Sequence, residues 1–270
     1  CAILDDRSVS CWGDGGNGQL GLGNTNNKLI PTQITNLGSN RTAFALSSGG
    51  KHTCAILDNR SVSCWGQGSY GQLGNGGTSQ QNLPKLASSL GTSKTALSIS
   101  SGGYHTCVIL SDNSMSCWGY GFYGQIGNGT NTNNLSPHQI SDFSSSAIVP
   151  TAISSGFSHS CSSLDNGSIY CWGRGGWGQL GNNGTSNKNT PTQTSSLGVS
   201  RTVMLVSADK DNDSFVDWID KYPFDITRSI ECEEGTYGRY LQCLDSPLGT
   251  YSHGNVIYPN STSPGYFNNQ

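Results

Sequence analysis

The sequence is poor in charge, and above all in positive charge. Only 11% of its 270 residues are charged and the formal net charge is −3, whereas an average globular protein is about 25% charged. A surface with so few basic residues lacks the patch by which proteins bind nucleic acids or anionic membranes. We therefore expect no nucleic-acid partner, and a polar surface made of Ser, Asn, Thr and Gln.

Long apolar runs, a starting methionine and a leader are also missing. No apolar stretch approaches the ~18 residues of a membrane-spanning helix, so we expect no membrane span in this chain. The sequence begins at Cys1 without the basic and apolar regions of a signal peptide, which favours a processed or partial chain.

A repeat dominates what is present. The stretch Ser10–Gly21, SCWGDGGNGQLG, returns three times at offsets of 53, 53 and 54 residues. The later copies are Ser63–Gly74, Ser116–Gly127 and Tyr170–Gly181. A period of this length is typical of propellers and solenoids and outweighs any single motif.

The repeat resembles the regulator of chromosome condensation repeat, a family of β-propellers. The resemblance is carried by Ser48-Gly-Gly-Lys-His-Thr53, Cys64-Trp-Gly66, Gly71-Gln-Leu-Gly-Asn-Gly76 and Pro84, and it covers about residues 1–208. It implies an all-β fold: a β-propeller of four ~53-residue repeats, either four-bladed or part of a larger ring, since seven blades are usual in the family. The added cysteine pair in each repeat departs from the family pattern.

Cysteine usage indicates the compartment. Ten cysteines fall into five pairs, and an even count at fixed spacing predicts five disulfides in an oxidising location. Metal binding is the weaker alternative, because it usually needs Cys-x-x-Cys spacing. The pairs are Cys1/Cys11, Cys54/Cys64, Cys107/Cys117, Cys161/Cys171 and Cys232/Cys243.

Each repeat pair fits a hairpin. Cys1 faces Cys11 if Ile3 opposes Val9, which leaves Asp5–Arg7 as the turn. Residues opposed at a non-hydrogen-bonded position lie about 4.5 Å apart at Cα, within disulfide range.

A strand precedes the first cysteine of the later repeats, at Arg41–Leu46, Lys94–Ile99 and Ala152-Ile153, and the first repeat lacks it. A similar strand, Arg201–Val206, follows the last repeat. Three arrangements remain open: this strand completes the first blade of its own chain, or it completes that of another copy, or further repeats precede this chain.

Repetition also decides how other motifs are interpreted. A Gly-x-Gly-x-x-Gly pattern occurs in all four copies without a following helix, so it predicts a turn and not a dinucleotide site. His52, His105 and His159 recur in register and are interpreted as structural hydrogen-bonders.

Aromatic residues fall into two groups. The motif tryptophans are expected to pack between strands; they are Trp12, Trp65, Trp118 and Trp172. Tyr70, Tyr123 and Trp177 lie in the Gly-rich turns and are expected to be exposed, either as surface packing or as an aromatic rim able to bind sugar or protein.

Asn-x-Ser/Thr sequons, together with the disulfides, favour a glycosylated extracellular chain. The eight sequon asparagines are Asn40, Asn59, Asn128, Asn134, Asn166, Asn183, Asn212 and Asn260.

The composition changes at Asp209, and we divide the chain into repeats (1–208), a calcium-binding linker (209–228) and a small Cys-rich module (229–270). The linker resembles the thrombospondin type-three calcium repeat, although Ser214 replaces the Gly usual at the sixth loop position and the twelfth is Asp in place of Glu. Acids at alternating loop positions and one backbone carbonyl suit a structural Ca²⁺; the implied ligands are Asp209, Asp211, Asp213, Phe215, Asp217 and Asp220.

The final segment contains Cys232 and Cys243 and resembles the Cys-rich modules of the ephrin-receptor-like class. It is too small to form a core, so we expect a disulfide to stabilise it.

No unrepeated His, Cys or carboxylate group suggests catalysis, and we expect a protein that is not an enzyme. The first hypothesis is an extracellular or cell-surface structural or adhesive glycoprotein, in its most specific form a fibre subunit that associates with itself or with other extracellular proteins and glycans. The alternative is a secreted propeller that binds a protein or a glycan, as a binding module or inhibitor, through its rim.

Overall fold

The computed structural model describes residues 1–38, 41–140 and 149–195, together with the backbone of 236–239, 242–245, 250–253 and 256–259. The chain divides into two compact units, Cys1–Met204 and Leu205–Gln270. Every regular element in the described part is a β-strand. The all-β prediction is therefore confirmed.

Four antiparallel sheets make up the described part of the first unit, and we call them blades 1 to 4. Blade 1 contains β1 (Ala2–Ile3), β2 (Val9–Gly13) and β3 (Lys28–Gln33); blade 2 contains β4 (Ala43–Ser48), β5 (His52–Leu57), β6 (Val62–Gly66) and β7 (Gln81–Leu86). Blade 3 contains β8 (Ala96–Ser101), β9 (His105–Leu110), β10 (Met115–Gly119) and β11 (Asn134–Gln139); blade 4 contains β12 (Pro150–Ser155), β13 (His159–Leu164), β14 (Ile169–Gly173) and β15 (Lys188–Gln193). In each blade the strands pair in chain order.

The hairpin register follows the sequence prediction. Ile3 opposes Val9 in blade 1, and Cys1 is bonded to Cys11 with their Cα atoms 4.0 Å apart. The three later blades repeat this arrangement, with Cys54–Cys64, Cys107–Cys117 and Cys161–Cys171 each joining directly opposed residues of the two central strands. Each disulfide therefore staples one hairpin and joins no two blades.

A bulge follows the second cysteine of the pair in each of blades 1 to 4. In blade 2 the register between β6 and β7 shifts between Cys64 and Gly66, which places Trp65 at the irregularity. The same shift occurs in the other three blades. Bulges re-aim a side chain and increase the local twist.

The core lies between the blades. One cluster joins Val9 and Leu20 of blade 1 to Leu57 and Trp65 of blade 2. A second cluster joins blade 2 to blade 3 through Trp118, and a third joins blade 3 to blade 4 through Trp172. Hydrophobic burial therefore stabilises the stack of blades, as expected for a repeat protein whose single unit cannot bury its own apolar face.

The first strand of blade 3, β8, contacts the first strands of blades 2 and 4, β4 and β12. Backbone N–H groups there donate to serine hydroxyls of the preceding blade: Ser101 to Ser47 at 2.8 Å and Ser155 to Ser100 at 2.9 Å. β1 of blade 1 contacts β4 directly. Blade 1 has three described strands where the others have four, and Arg201–Val206, proposed from the sequence to fill this place, lies outside the described residues.

The second unit shows two hairpins. They are formed by β16 (Thr236–Arg239) with β17 (Gln242–Asp245), and β18 (Thr250–His253) with β19 (Val256–Pro259). The calcium ligands Asp209 to Asp220 and the partner cysteine Cys232 lie outside the described residues, so the calcium site and the fifth disulfide stay predictions.

Candidate functional site: an aromatic face on the propeller

The central hairpin of each blade joins two opposite faces of the propeller. In blade 2, His52 pairs with Gly66 at one end, and the turn Asp58–Arg60 closes the other. Six residues of β5 separate the two ends, roughly 15–20 Å at the usual rise of a strand. We call the end at the turns the turn face.

At the other end, two loop positions lie side by side in every later blade. The residue that follows Trp-Gly donates its backbone N–H to the carbonyl of a residue in the loop before the histidine. The three pairs are Gln67 to Lys51 at 2.9 Å, Tyr120 to Tyr104 at 2.9 Å and Arg174 to Ser158 at 2.8 Å. Side chains at these positions differ from blade to blade, while the backbone arrangement does not.

Aromatic residues at and around these positions form one continuous cluster across blades 2 to 4. Tyr70 of blade 2 lies 4.8 Å from Tyr120 and 5.4 Å from Tyr104 of blade 3, measured between ring centroids. Tyr104 contacts Phe157 of blade 4 edge-on at 5.7 Å. We call this surface the aromatic face; its members are Tyr70, Tyr104, Tyr120, Phe122, Tyr123, Phe157, Arg174 and Trp177.

Arg174 is the cation of this surface. Its guanidinium carbon lies 4.1 Å from the ring centroid of Trp177 and 5.2 Å from that of Tyr123. Stacking on aromatic rings orients an arginine and leaves its N–H edge free to donate. The ion pairs of the described residues, Arg41–Asp58 and Lys94–Asp112, do not include Arg174.

Several of these rings face water. Phe122 is 60% exposed, Phe157 66% and Trp177 78%. Contiguous exposed apolar surface on a soluble domain marks an interaction site. Burial, with smaller contributions from Tyr123 and Tyr70, raises the pKa of Tyr120.

Below the aromatic face, the blades are joined by a directed hydrogen-bond chain. Thr106 donates its hydroxyl to the backbone carbonyl of Gln72 at 3.0 Å, so it must accept from His52, whose Nε2 lies 2.9 Å away. His52 is therefore the Nε2–H tautomer, and its Nδ1 is buried without a partner. His105 is joined to Ser160 in the same way at 2.8 Å, and Ser160 donates to the carbonyl of Gln125.

These histidines are structural. Burial lowers the pKa of His52 to about 4. Burial first, and then the charges of His52 and His159, lowers the pKa of His105 to about 3. Both rings are buried and bonded to a hydroxyl of the next blade, as the structural interpretation of His52 and His105 expects.

The glutamine carbonyl in each of the first three Gly-Gln-Leu/Ile-Gly motifs also accepts from the tryptophan of the next blade. Trp65 donates its Nε1–H to Gln19 at 3.0 Å, Trp118 to Gln72 at 3.0 Å and Trp172 to Gln125 at 2.9 Å. The two most repeated motifs of the sequence are thus the two halves of one joint. The Gly-x-Gly-x-x-Gly copies form turns, as predicted; in blade 2 Gly71 donates to Gly68 at 2.7 Å.

The sequence predicted only part of the aromatic face. Tyr70 and Trp177 are exposed as expected, and Tyr123 lies half-buried beside them. Tyr104, Tyr120, Phe122 and Phe157 were not predicted from the sequence. Their signal was available: each occupies a loop position at which the repeats differ, next to positions at which they agree.

The sequon asparagines lie in different environments. Asn59, Asn166 and Asn183 are exposed, Asn128 is half-buried, and the side-chain nitrogen of Asn134 is buried in β11. Asn40, Asn212 and Asn260 lie outside the described residues. No helix of the described part is long and apolar enough to cross a membrane.

Comparison with known proteins agrees with this geometry. The regulator of chromosome condensation (RCC1) repeat matches residues 8–56, 61–109, 114–162 and 166–209. The chain belongs to the RCC1 repeat family. Each match runs from one hairpin into the next, as the inter-blade core also does.

Relatives of the RCC1 repeats have varied functions. The chain is 31% identical to the ultraviolet-B receptor UVR8 of Arabidopsis thaliana, over 71% of this chain and 43% of that protein. It is 32% identical to the human E3 ubiquitin-protein ligase HERC2, over 70% of this chain and 4% of that protein. The chain thus spans less than half the length of these relatives.

Solved propellers share the fold. Human WBSCR16 superposes with a TM-score of 0.65 at 24% identity, over 72% of this chain and 50% of that one. Yeast RCC1 (Prp20), in a structure with Kap60, superposes with a TM-score of 0.61 at 20% identity, over 72% of this chain and 46% of that one. The predicted β-propeller is therefore confirmed.

Proposed function

We propose that this chain is the protein-binding propeller of an extracellular protein, and that it holds its partner on the aromatic face. The observation that carries the proposal is the continuous cluster of exposed and half-exposed rings with one arginine at its edge. Tyrosine, tryptophan and arginine are the residues enriched at energetic centres of protein interfaces. The proposal places no catalytic group on this chain.

The charge of the aromatic face indicates the chemistry of the partner. Arg174 is stacked on Trp177 and pairs with no carboxylate among the described residues. A partner with a carboxylate beside apolar side chains satisfies both the arginine and the rings, because arginine–carboxylate pairing is strong where aromatic groups exclude water. We therefore commit to a protein segment carrying an acidic residue, and treat glycan binding as a competing outcome.

Two features support the extracellular location. The first four predicted cysteine pairs are disulfides in the structure, and structural disulfides persist in oxidising compartments. The second is the sequon-rich, charge-poor composition.

The calcium loop Asp209–Asp220 belongs to the same proposal as a structural site. Calcium titration of the full chain by calorimetry, with Asp211→Ala as the control, tests it.

The binding face is tested by comparing matched variants. The double variant Phe122→Ser/Trp177→Ser removes two exposed rings, whereas the control Leu29→Ser/Ile30→Ser removes two exposed apolar side chains of β3. Each form is immobilised, exposed to proteins of the source's extracellular medium, and the retained proteins are compared by quantitative mass spectrometry. We expect that some proteins are retained equally by the unmodified chain and by the control. The amount of these proteins retained by Phe122→Ser/Trp177→Ser should be at least tenfold lower.

Two outcomes contradict the proposal. Equal retention by all three forms shows that the aromatic face binds no protein of that medium. Binding to an immobilised glycan array that disappears in Phe122→Ser/Trp177→Ser, with no change in retained proteins, assigns the face to carbohydrate.

A second candidate, the fibre subunit, is favoured by one observation. The first sheet has three described strands and the others have four, and an exposed strand edge pairs readily with a strand from another chain. Electron microscopy of native material distinguishes the two candidates: filaments with Arg201–Ala208 of one copy beside Cys1–Leu4 of the next support the fibre, and dispersed particles oppose it.

A further inference from the structure

The four hairpin turns of the turn face share one hydrogen-bond pattern. The second turn residue accepts, through its side-chain oxygen, the backbone N–H of the serine two positions later. The distances are 2.8 Å for Asp6–Ser8, 3.1 Å for Asn59–Ser61, 3.1 Å for Asp112–Ser114 and 3.0 Å for Asn166–Ser168. This is the Asx-turn by which Asp and Asn stabilise tight turns.

Aspartate performs this role in blades 1 and 3, and asparagine performs it in blades 2 and 4. Since the turn uses only the side-chain oxygen, the amide nitrogens of Asn59 and Asn166 add nothing to it. Each asparagine also completes a sequon with the serine that it bonds. Alternate blades thus share the turn conformation and differ in the chemical group at this position, a carboxylate or an amide.

The geometry of these two sequons suits modification. Asn59 and Asn166 are exposed at turns. The hydroxyls of Ser61 and Ser168 donate to the asparagine oxygens at 2.7 and 2.6 Å, which holds the sequon hydroxyl against the amide. Asn134, by contrast, has its side-chain nitrogen buried within β11.

Asn128 is less open than the two turn sequons. It is half-buried, and its neighbour Gly129 donates its backbone N–H to Asn189 of the next blade at 2.8 Å. A sugar there would lie at a joint between blades.

We propose that Asn59 and Asn166 carry N-linked glycans. The amide nitrogen forms a bond to C1 of an oligosaccharide donated by a polyprenyl-pyrophosphate lipid, the C1–O bond to the pyrophosphate breaks, and the amide gives up one proton. The lipid pyrophosphate leaves, and no oxidant or reductant takes part.

The placement divides the propeller into two surfaces. Both asparagines lie on the turn face, and the aromatic face lies at the far end of the same strands. Glycans at Asn59 and Asn166 would shield the turn face of blades 2 and 4 and leave the aromatic face uncovered. This inference depends on the extracellular route proposed above, but not on the identity of the binding partner.

The test maps glycopeptides by mass spectrometry after secretion of the full chain from a eukaryotic cell line behind an added signal peptide. We expect glycan at Asn59 and Asn166 and an unmodified Asn134. Asn59→Asp and Asn166→Asp copy the turns of blades 1 and 3, so they should each remove one glycan without changing the melting temperature. Asp112→Asn completes a sequon with Ser114 in the same turn geometry and should gain one glycan.

The proposal is overturned if the secreted chain carries no glycan at Asn59 and Asn166. The retention experiment on the aromatic face is repeated with Asn59→Asp/Asn166→Asp protein. Loss of protein binding there contradicts the binding proposal alone, and missing glycans with intact binding contradict this one alone.

Discussion

The tryptophan of the Cys-Trp-Gly motif is 44% exposed in blade 1 and 0% exposed in blade 2. Trp12 and Trp65 occupy the same place in the same motif, each after a disulfide-bonded cysteine and at the same bulge. They differ in that Trp65 has blade 1 before it, and no blade precedes blade 1 among the described residues. The comparison shows that this tryptophan belongs to the joint and not to the blade that carries it.

Removal of the indole is expected to have the largest effect on stability. Trp118→Ala loses a fully buried side chain and its hydrogen bond to Gln72, which should cost about 3–5 kcal/mol of unfolding free energy. Trp12→Ala removes a partly exposed ring and should cost less than about 1 kcal/mol. Urea unfolding midpoints, followed by far-UV circular dichroism, measure the difference.

Trp118→Phe keeps the fold testable if the alanine variant fails to accumulate. It retains most of the apolar contact and loses only the Nε1–H donor. A midpoint for Trp118→Ala within error of that for Trp12→Ala would contradict the assignment of this residue to the inter-blade core.

Alanine substitutions at the last glycine of the Gly-Gln-Leu-Gly motif should give a smaller difference in stability between blades. Gly74 has φ +68°, and a Cβ added there would lie 2.7 Å from Nε1 of Trp118. Gly181, with φ +62°, would meet only Thr194 at 3.5 Å. Both positions incur the left-handed backbone cost of about 1–2 kcal/mol, so Gly74→Ala should destabilise the chain more than Gly181→Ala by thermal unfolding. Equal decreases in melting temperature for Gly74→Ala and Gly181→Ala would show that the ring of Trp118 moves aside at little cost.

The two buried histidines make the stability of the chain depend on pH. His52 and His105 have folded-state pKa values lowered by burial to about 4 and about 3, so between these values and pH 6.5 the unfolded chain binds more protons than the folded one. Stability is fully present above pH 6.5 and falls as the pH is lowered, by up to about 1.4 kcal/mol per pH unit for each histidine. Melting temperatures from pH 7 to 4 measure this slope.

His52→Gln should reduce that slope by about the share of one histidine, and His138→Gln, at an exposed residue of β11, should leave it unchanged. The histidines have no role in the pH dependence of stability if His52→Gln and the unmodified chain lose stability in parallel.

Much of the fold could be predicted because the hairpins are local. Ile3 opposite Val9 and the Cys1–Cys11 bond follow from spacing and turn chemistry within eleven residues. The joint between blades was harder to predict from the sequence, because the indole of Trp65 donates to a backbone carbonyl, that of Gln19. Every residue has such a carbonyl, so no sequence pattern identifies it.

The aromatic face was predicted in part for a related reason. Tyr70 and Trp177 stood out within their own Gly-rich turns, whereas Tyr104 and Phe157 belong to a different loop of the repeat. Only the stacking of blades brings Phe157 to Tyr104 and Tyr104 to Tyr70. The distance between loops of successive repeats depends on how far each blade is rotated relative to the one before it. The sequence pattern does not predict that rotation.

The hydroxyl of Thr106 is tied twice to blade 2, accepting from His52 and donating to Gln72. Only a side chain that both gives and takes a hydrogen bond can do this, and Ser160 does the same on the next blade. The joint between blades 2 and 3 and the joint between blades 3 and 4 therefore use the same hydrogen bonds. A whole repeat can therefore be duplicated or deleted in evolution while every remaining joint of this kind keeps its hydrogen bonds. Loss of part of a repeat would instead remove hydrogen bonds from the joints on both of its sides.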